Sequence, residues 1–558
     1  MKISQFTRPL STLLLGLTLS LTPSLAPTAL SAAPLTHEEM KEDLEQLFTL
    51  YEKNYGLFKW KAEHLGLDFN ELTTRYRAQM ESVQTEREFF QLISTYITEF
   101  KDPHLSFSPT EERVAFLGFG VRHVENKAII DRINRNSVPQ SIFPYELGTE
   151  LISIDGATVE KMVAAGRRLE ASGNEKSTVA MLYRLMTVRL PHWGPFPSGN
   201  ATIVVKPAGS DQEVTTIIPW IIRGRALPGM DQYAGGDVPS ELTKETRFRS
   251  PLYDLLETTG LNPQRGDPAE FEGAKIVNKK DFLAAILDTP AGPVGYVQIP
   301  SFSPSQGVEK ALKQYKKVFK EMWVTNGMVL DLRDNPGGSL FYGYAMASML
   351  TDKPLVTPTF GLRPTRKNIV DYRSWAQSAS SAAEQAALKN VVTALESAFE
   401  SGETMTDFMP LDGLAVVNPD PDVQYTKPIV ILTTELNASM GDIWPAMMQD
   451  NGRALLFGAN TQGAGGAVVP AGPLTNSEAR LTMTVNMVMR QNGQPIENLG
   501  TAPDVPFELS IADIRTGNQR YRSAYMGIMI KLIQMQQIEQ AQKNIEELEA
   551  AMGNQAPE

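Results

Sequence analysis

The chain of 558 residues contains no cysteine at all. That absence excludes a disulfide framework, a thiol nucleophile and a lipidated cysteine anchor, and it removes the commonest soft metal ligand. Histidine is scarce too: His37, His64, His104, His123 and His192 are the whole set, scattered without ligand spacing, so neither a metal site nor a cofactor is expected. No apolar run is long enough to cross a bilayer. Basic residues number 52 against 64 acidic, a formal charge of −12, and an acidic surface repels phosphate backbones. Nucleic acid is therefore not an expected partner. Low-complexity tracts and internal repeats are also missing.

Residues 1–33 carry Lys2 and Arg8, an apolar run from Leu10 to Leu21, and small residues at Ala29, Ser31, Ala32 and Ala33. This is the plan of a secretory signal peptide cut after Ala32 or Ala33. The expected location is periplasmic or secreted, with no stable membrane anchor. With 42% apolar residues, the remainder can bury several cores, and its length suggests about three to four domains.

The most informative stretch runs from Val430 to Val469. Pro428-Ile429-Val430-Ile431-Leu432-Thr433-Thr434 is a β-branched run that reads as a strand covered on both faces of a mainly parallel sheet. Asn437-Ala438-Ser439-Met440-Gly441-Asp442 then supplies turn and cap chemistry, and Ile443 to Gln449 has helical spacing. A hydroxyl at such a strand-to-helix turn sits beside unpaired backbone N–H groups and the positive end of a helix, a good seat for a nucleophile. About a hundred residues earlier, Gly327 to Asp331 is another buried strand. It runs into Leu332-Arg333-Asp334-Asn335-Pro336-Gly337-Gly338, whose paired glycines let backbone amides approach a ligand closely. After Ser439 comes Thr461-Gln462-Gly463-Ala464-Gly465-Gly466.

From Gly295 to about Val505, these three blocks in this order resemble the C-terminal processing, or tail-specific, serine peptidases. Most of that family uses a Ser–Lys dyad, with the lysine twenty-five residues after the serine. Here that position is Ala464, and no lysine occurs between Ser439 and Lys531. The chain instead resembles the tricorn-core and CPAF-like branch, which uses Ser, His and Glu. In that branch the glutamate lies in a segment like Ile496-Glu497-Asn498-Leu499-Gly500, and the histidine lies far upstream, as in Lys101-Asp102-Pro103-His104-Leu105. The resemblance implies a triad of Ser439, His104 and Glu497, with an oxyanion hole from the amides of Met440 and Gly337 or Gly338. It also implies protein or peptide substrates.

The physical demand is the same without the family. A serine needs a neighbouring base, and the base needs a third group to fix its tautomer. Among the histidines, His37 and His64 lie in charged helical sequence and His192 in a Pro- and Gly-flanked loop. His123 falls inside a separate β module, which leaves His104. For the orienting carboxylate, Asp442 and Asp450 stand as alternatives to Glu497, Asp450 more naturally ending the serine helix.

The other segments are expected to divide as follows. Residues 34–112 read as a helical cap carrying His104. Residues 113–220 resemble a PDZ domain, whose carboxylate-binding loop would be Gly118-Phe119-Gly120-Val121, taking an extended peptide at a sheet edge. Residues 221–284 form an irregular linker or lid, where the resemblance raises self-cleavage. Residues 285–515 form the catalytic domain with a helical insertion at 366–412. Residues 516–558 form a C-terminal helix that packs on the body or mediates a homodimer. The expected fold class is a multidomain α/β protein: a ClpP/crotonase-like catalytic β-sheet with helices, an N-terminal helical cap and a PDZ-like β domain. The expected activity is peptide hydrolysis through an acyl-enzyme; the alternative is an inactive peptide- or ligand-binding protein on the same fold.

Overall fold

The computed structural model describes residues 34–109, 113–224, 271, 273–379 and 382–553. The expected signal peptide, and the part of the expected lid where self-cleavage was placed, lie outside these residues.

The core is a seven-stranded sheet in the order Lys275–Asn278, Ala284–Leu287, Val294–Gln298, Gly327–Asp331, Ile429–Thr433, Leu455–Gly458 and Val505–Pro506. The first three strands form an antiparallel meander, and the last five pair in parallel. Its central strands are buried along their whole length, so they read as apolar runs without polar alternation. Successive residues still serve opposite faces. Met328, Leu330, Ile429 and Ile431 pack on one side against the helices Val308–Glu321, Leu340–Ser348 and Met440–Asp450. Val329, Val430 and Leu432 pack on the other against Tyr521, Tyr525, Met529 and Ile533 of the long helix Gln519–Gly553. The outer half of that helix leaves Met535, Ile538 and Ile545 more than half exposed.

Two boundaries move. Lys275–Asn278 and the start of Ala284–Leu287 belong to the catalytic sheet, although the sequence reading gives them to a linker. At the other end of that segment, Ile221–Arg223 pairs with Val114–Phe116 and so extends the preceding β module.

Four helices, His37–Asn54, Phe58–Leu65, Phe69–Met80 and Glu86–Thr98, build the N-terminal cap. Thr36 with Glu39 and Thr85 with Glu88 form capping boxes that satisfy the first turns. Tyr51, Tyr55, Tyr96 and Phe100 form an aromatic centre. The cap shares its core with Leu481, Met483 and Met487 of the late catalytic strands. Its exit strand, Ser106–Ser108, pairs antiparallel with Arg480–Thr484. The front of the chain is thereby sewn to its far end.

The module after it has the strand order Phe119–Val124, Lys127–Ile133, Glu150–Ile154, Asn200–Lys206 and Val214–Pro219, with the helix Glu175–Leu185 lying along the first strand. The expected peptide-binding residues Gly118, Phe119, Gly120 and Val121 are all buried. The Phe119 carbonyl accepts from Thr187 Oγ1 at 3.0 Å and the Val121 carbonyl from Arg184 at 3.4 Å. In this conformation the edge is covered from within, and an added peptide strand would have to displace those donors.

Candidate active site

Ser439 begins the helix Met440–Asp450 directly after the buried strand. Its φ is +55°, a region that non-glycine residues seldom occupy, so the backbone is held there against local preference. Its side chain makes no capping hydrogen bond, which leaves the hydroxyl for other work. Its own N–H donates to the Ala464 carbonyl at 2.8 Å, tying the turn to the glycine loop. The first free amide of the helix is then that of Met440.

Gly337 packs face to face with this turn. A Cβ there would stand 2.6 Å from the Ala438 carbonyl oxygen, 2.7 Å from Ser439 Cβ and 2.8 Å from the Met440 nitrogen, at a φ of +90°. The Gly337 amide, however, donates to Asn335 Oδ1 at 2.8 Å. Of the two glycines named as oxyanion donors, Gly337 therefore has its amide engaged. Phe302 is bridged through the Gly337 carbonyl and the Ser339 amide, so the N–H of Gly338 itself turns the other way. Replacing Gly337 with alanine is expected to push the serine turn aside and cost about a hundredfold or more in rate at little change in secondary structure, checked by phosphonylation kinetics and circular dichroism.

His104 is buried, at 4% exposure, on the loop between the cap and Ser106–Ser108. Asp102 organises that loop: it accepts the His104 amide at 2.9 Å, the Tyr55 hydroxyl at 2.9 Å and the Thr484 hydroxyl at 2.7 Å. Thr482 Oγ1 holds the His104 carbonyl at 2.6 Å. Burial, helped by the Lys61 charge and opposed by Asp102, sets the imidazole below its usual range.

Glu497 is 1% exposed. Its Oε1 pairs with Lys61 Nζ at 2.5 Å, and burial raises the carboxyl to about 8. Lys61 pulls downward and the charges of Asp102 and Asp442 push upward, with desolvation dominant. His104 Nδ1 and Glu497 Oε2 are both buried, and neither has a hydrogen-bond partner among the described residues. No hydrogen bond directly links the side chains of Ser439, His104 and Glu497 among those residues. Their segments nevertheless interlock, the loop that carries His104 through the Lys101 carbonyl, which accepts from Asn498 Nδ2 at 2.9 Å. The Asn498 amide donates to the Gly463 carbonyl at 2.9 Å, and Asp442 accepts the Gly463 and Ala464 amides at 3.0 and 3.1 Å.

The rival carboxylates have other employment. Asp442 braces the glycine loop, its carboxyl raised by burial to about 6 against those hydrogen bonds. Asp450 ends the serine helix and pairs with Arg490 at 2.5 Å. Among the rival histidines, His64 is exposed and stacks on Trp60, while His123 packs against Tyr183. His192 is buried against Phe107 and Trp193, its imidazole pushed down to about 4 by burial. Among the described residues no group of three or more candidate side chains could hold a metal ion.

Lys61 is the residue that sequence reasoning missed. It lies in a charged helix, yet with Leu57 and Leu65 four residues to either side it occupies the inward stripe, the one signal that it is not solvated.

Residues 293–507 match the model of peptidase family S41, and residues 113–227 match that of the PDZ domain. An uncharacterized protein of Chlamydia muridarum is 26% identical over 575 residues, covering 88% of this chain and 92% of its own. A carboxyl-terminal-processing protease of Synechocystis sp. is 25% identical over 286 residues, 50% of this chain and 54% of its own. In fold, the chain superposes on the crystal structure of mature CPAF with a TM-score of 0.73 at 21% identity, covering 89% of this chain and 98% of that one. No helix among the described residues is long and apolar enough to cross a membrane. Family match, relatives and fold agree on a serine peptidase: residues 293–507 match peptidase family S41, tail-specific in kind, behind a PDZ domain at residues 113–227, in a CPAF-like fold.

Proposed function

We propose that the protein is an exported endopeptidase or processing protease that cleaves peptide bonds through Ser439, His104 and Glu497. The observation that carries the assignment is the pair of buried, unpartnered atoms, His104 Nδ1 and Glu497 Oε2, on segments locked to the serine turn. Unsatisfied buried polar groups cost about 1–3 kcal/mol each, and their retention is understandable where catalysis needs them. In the proposed cycle the imidazole takes the Ser439 proton through Nε2 while Nδ1–H faces Glu497, directly or through water. Ser439 attacks the peptide carbonyl, and the oxyanion is received by the Met440 and Gly338 amides. His104 then protonates the leaving amine, and water releases the acyl group by the same route. Export rests on the signal-peptide pattern of residues 1–33. A homodimer through the C-terminal helix would cover Met535, Ile538 and Ile545, and sedimentation of the Ile538→Glu chain reads it.

A fluorophosphonate should label Ser439 in the wild type and leave His104→Ala essentially unlabelled; equal labelling of both would overturn the triad. The pH dependence follows from two groups that must both be unprotonated, an imidazole below about 6.5 and a carboxyl of about 8. The rate should therefore fall as pH drops from about 8 to 5. In Glu497→Gln the rate should be lower, and its remaining acid limb should lie below about pH 6.5. A rate independent of pH over that interval would point to another base.

A further inference from the structure

Lys61 sits on the short helix Phe58–Leu65 of the cap, with none of its side chain exposed. Its ammonium has three N–H groups, and three acceptors meet it: Glu497 Oε1 at 2.5 Å, Asn498 Oδ1 at 2.8 Å and the Lys101 carbonyl at 3.2 Å. Asn498 completes the junction. Its oxygen also accepts Trp60 Nε1 at 3.0 Å, and its nitrogen donates to the carbonyls of Lys101 at 2.9 Å and Gly173 at 2.6 Å. Lys101 precedes Asp102, whose carboxylate fixes the His104 amide. One ammonium thus spans the segment that carries the proposed base and the segment that carries the proposed orienting acid.

We propose that Lys61 is a positioning residue for the triad: it holds Glu497 by Oε1, leaving Oε2 for the imidazole, and its positive charge favours the carboxylate over the neutral acid. The proposal rests on the Ser439, His104 and Glu497 reading. Every N–H of Lys61 is already directed at an oxygen, so the ammonium has no spare direction in which to serve as the base itself. A buried carboxylate stripped of its cation takes up a proton instead of staying charged. Loss of Lys61 should then act on the charge state of Glu497 and through it on His104, with substrate contacts untouched.

The test uses the full chain and a fluorophosphonate, whose reaction rate with Ser439 needs no knowledge of the natural substrate. Lys61→Met should react about 10- to 100-fold more slowly at pH 7, with the maximal rate reduced and the reagent's half-saturating concentration unchanged. The acid limb should move to higher pH, so that the deficit shrinks as pH rises. In a Glu497→Gln background, Lys61→Met should add no further loss, because its route of action is already gone. An unshifted pH profile, or the same fold-loss in both backgrounds, would reduce Lys61 to a structural cation and overturn the proposal. If Lys61→Met alone leaves an unpaired buried acid and does not fold, the doubly neutral Lys61→Met/Glu497→Gln chain is compared with Glu497→Gln; equal rates support the proposal and a further loss overturns it. The underlying triad fails by a different sign: Glu497→Gln itself would react at the wild-type rate and pH profile.

Discussion

Alanine in place of Ser439 is expected to lower peptide hydrolysis by about six orders of magnitude while the chain melts close to the wild-type temperature. Removal of a triad nucleophile has effects of about that size, because the base and the oxyanion hole have nothing to activate or receive. The fold should tolerate the change: the Ser439 side chain makes no capping bond, and alanine meets much the same backbone strain at φ +55° that serine does. Turnover of a labelled protein substrate and intact-mass detection of a phosphonylated Ser439 together check it. Residual hydrolysis in Ser439→Ala above that of a His104→Ala chain would mean that the nucleophile has been misassigned.

The second large effect concerns stability, at Asp334. This residue occupies the turn that leads to Gly337 and Gly338, at a φ of +57°. Its carboxylate is 4% exposed and receives Arg132 at 2.8 Å, Arg122 at 3.1 Å and the Thr434 hydroxyl at 2.7 Å, with Arg184 at 3.7 Å. Those arginines come from the PDZ domain, where Asp131 also binds Arg122 and Arg184. Burial opposes ionisation of Asp334, yet the three guanidiniums hold its carboxyl far below the usual range. Asp334→Ala should therefore strand buried cations and cost about 3–5 kcal/mol, read as a lowered urea midpoint. Activity should fall with it, since the same carboxylate anchors the glycine turn against Thr434. A loss under about 1 kcal/mol would show that Asp131 and Glu435, which pairs with Arg122 at 3.3 Å, can neutralise the arginines unaided.

The contrast between these two residues shows what was legible beforehand. The strand-to-helix turn at Ser439 is readable because its signals are local: a β-branched strand with both faces covered, turn residues, then helical spacing. His104 and Glu497 came from motif resemblance and from the shortage of histidines, since nothing in their own neighbourhoods predicts that they lie in adjoining segments. Lys61 was hidden for the same reason in stronger form, its carboxylate partner being 436 positions away. The closed edge of the PDZ strand depends on Thr187 and Arg184, more than sixty residues downstream, and no pattern within Gly118 to Val121 foretells it. Lys275–Asn278 reads as linker from sequence because a four-residue edge strand offers two apolar residues and no alternation long enough to register.

The interlacing of the front of the polypeptide with its far end has a consequence for the cell that makes it. Lys61 and His104 leave the ribosome well before Glu497 and the long helix that backs the sheet. On the proposed triad, a nascent product that stops short of Glu497 lacks a part of the centre, so the hydrolytic hazard arises only after that segment has been made.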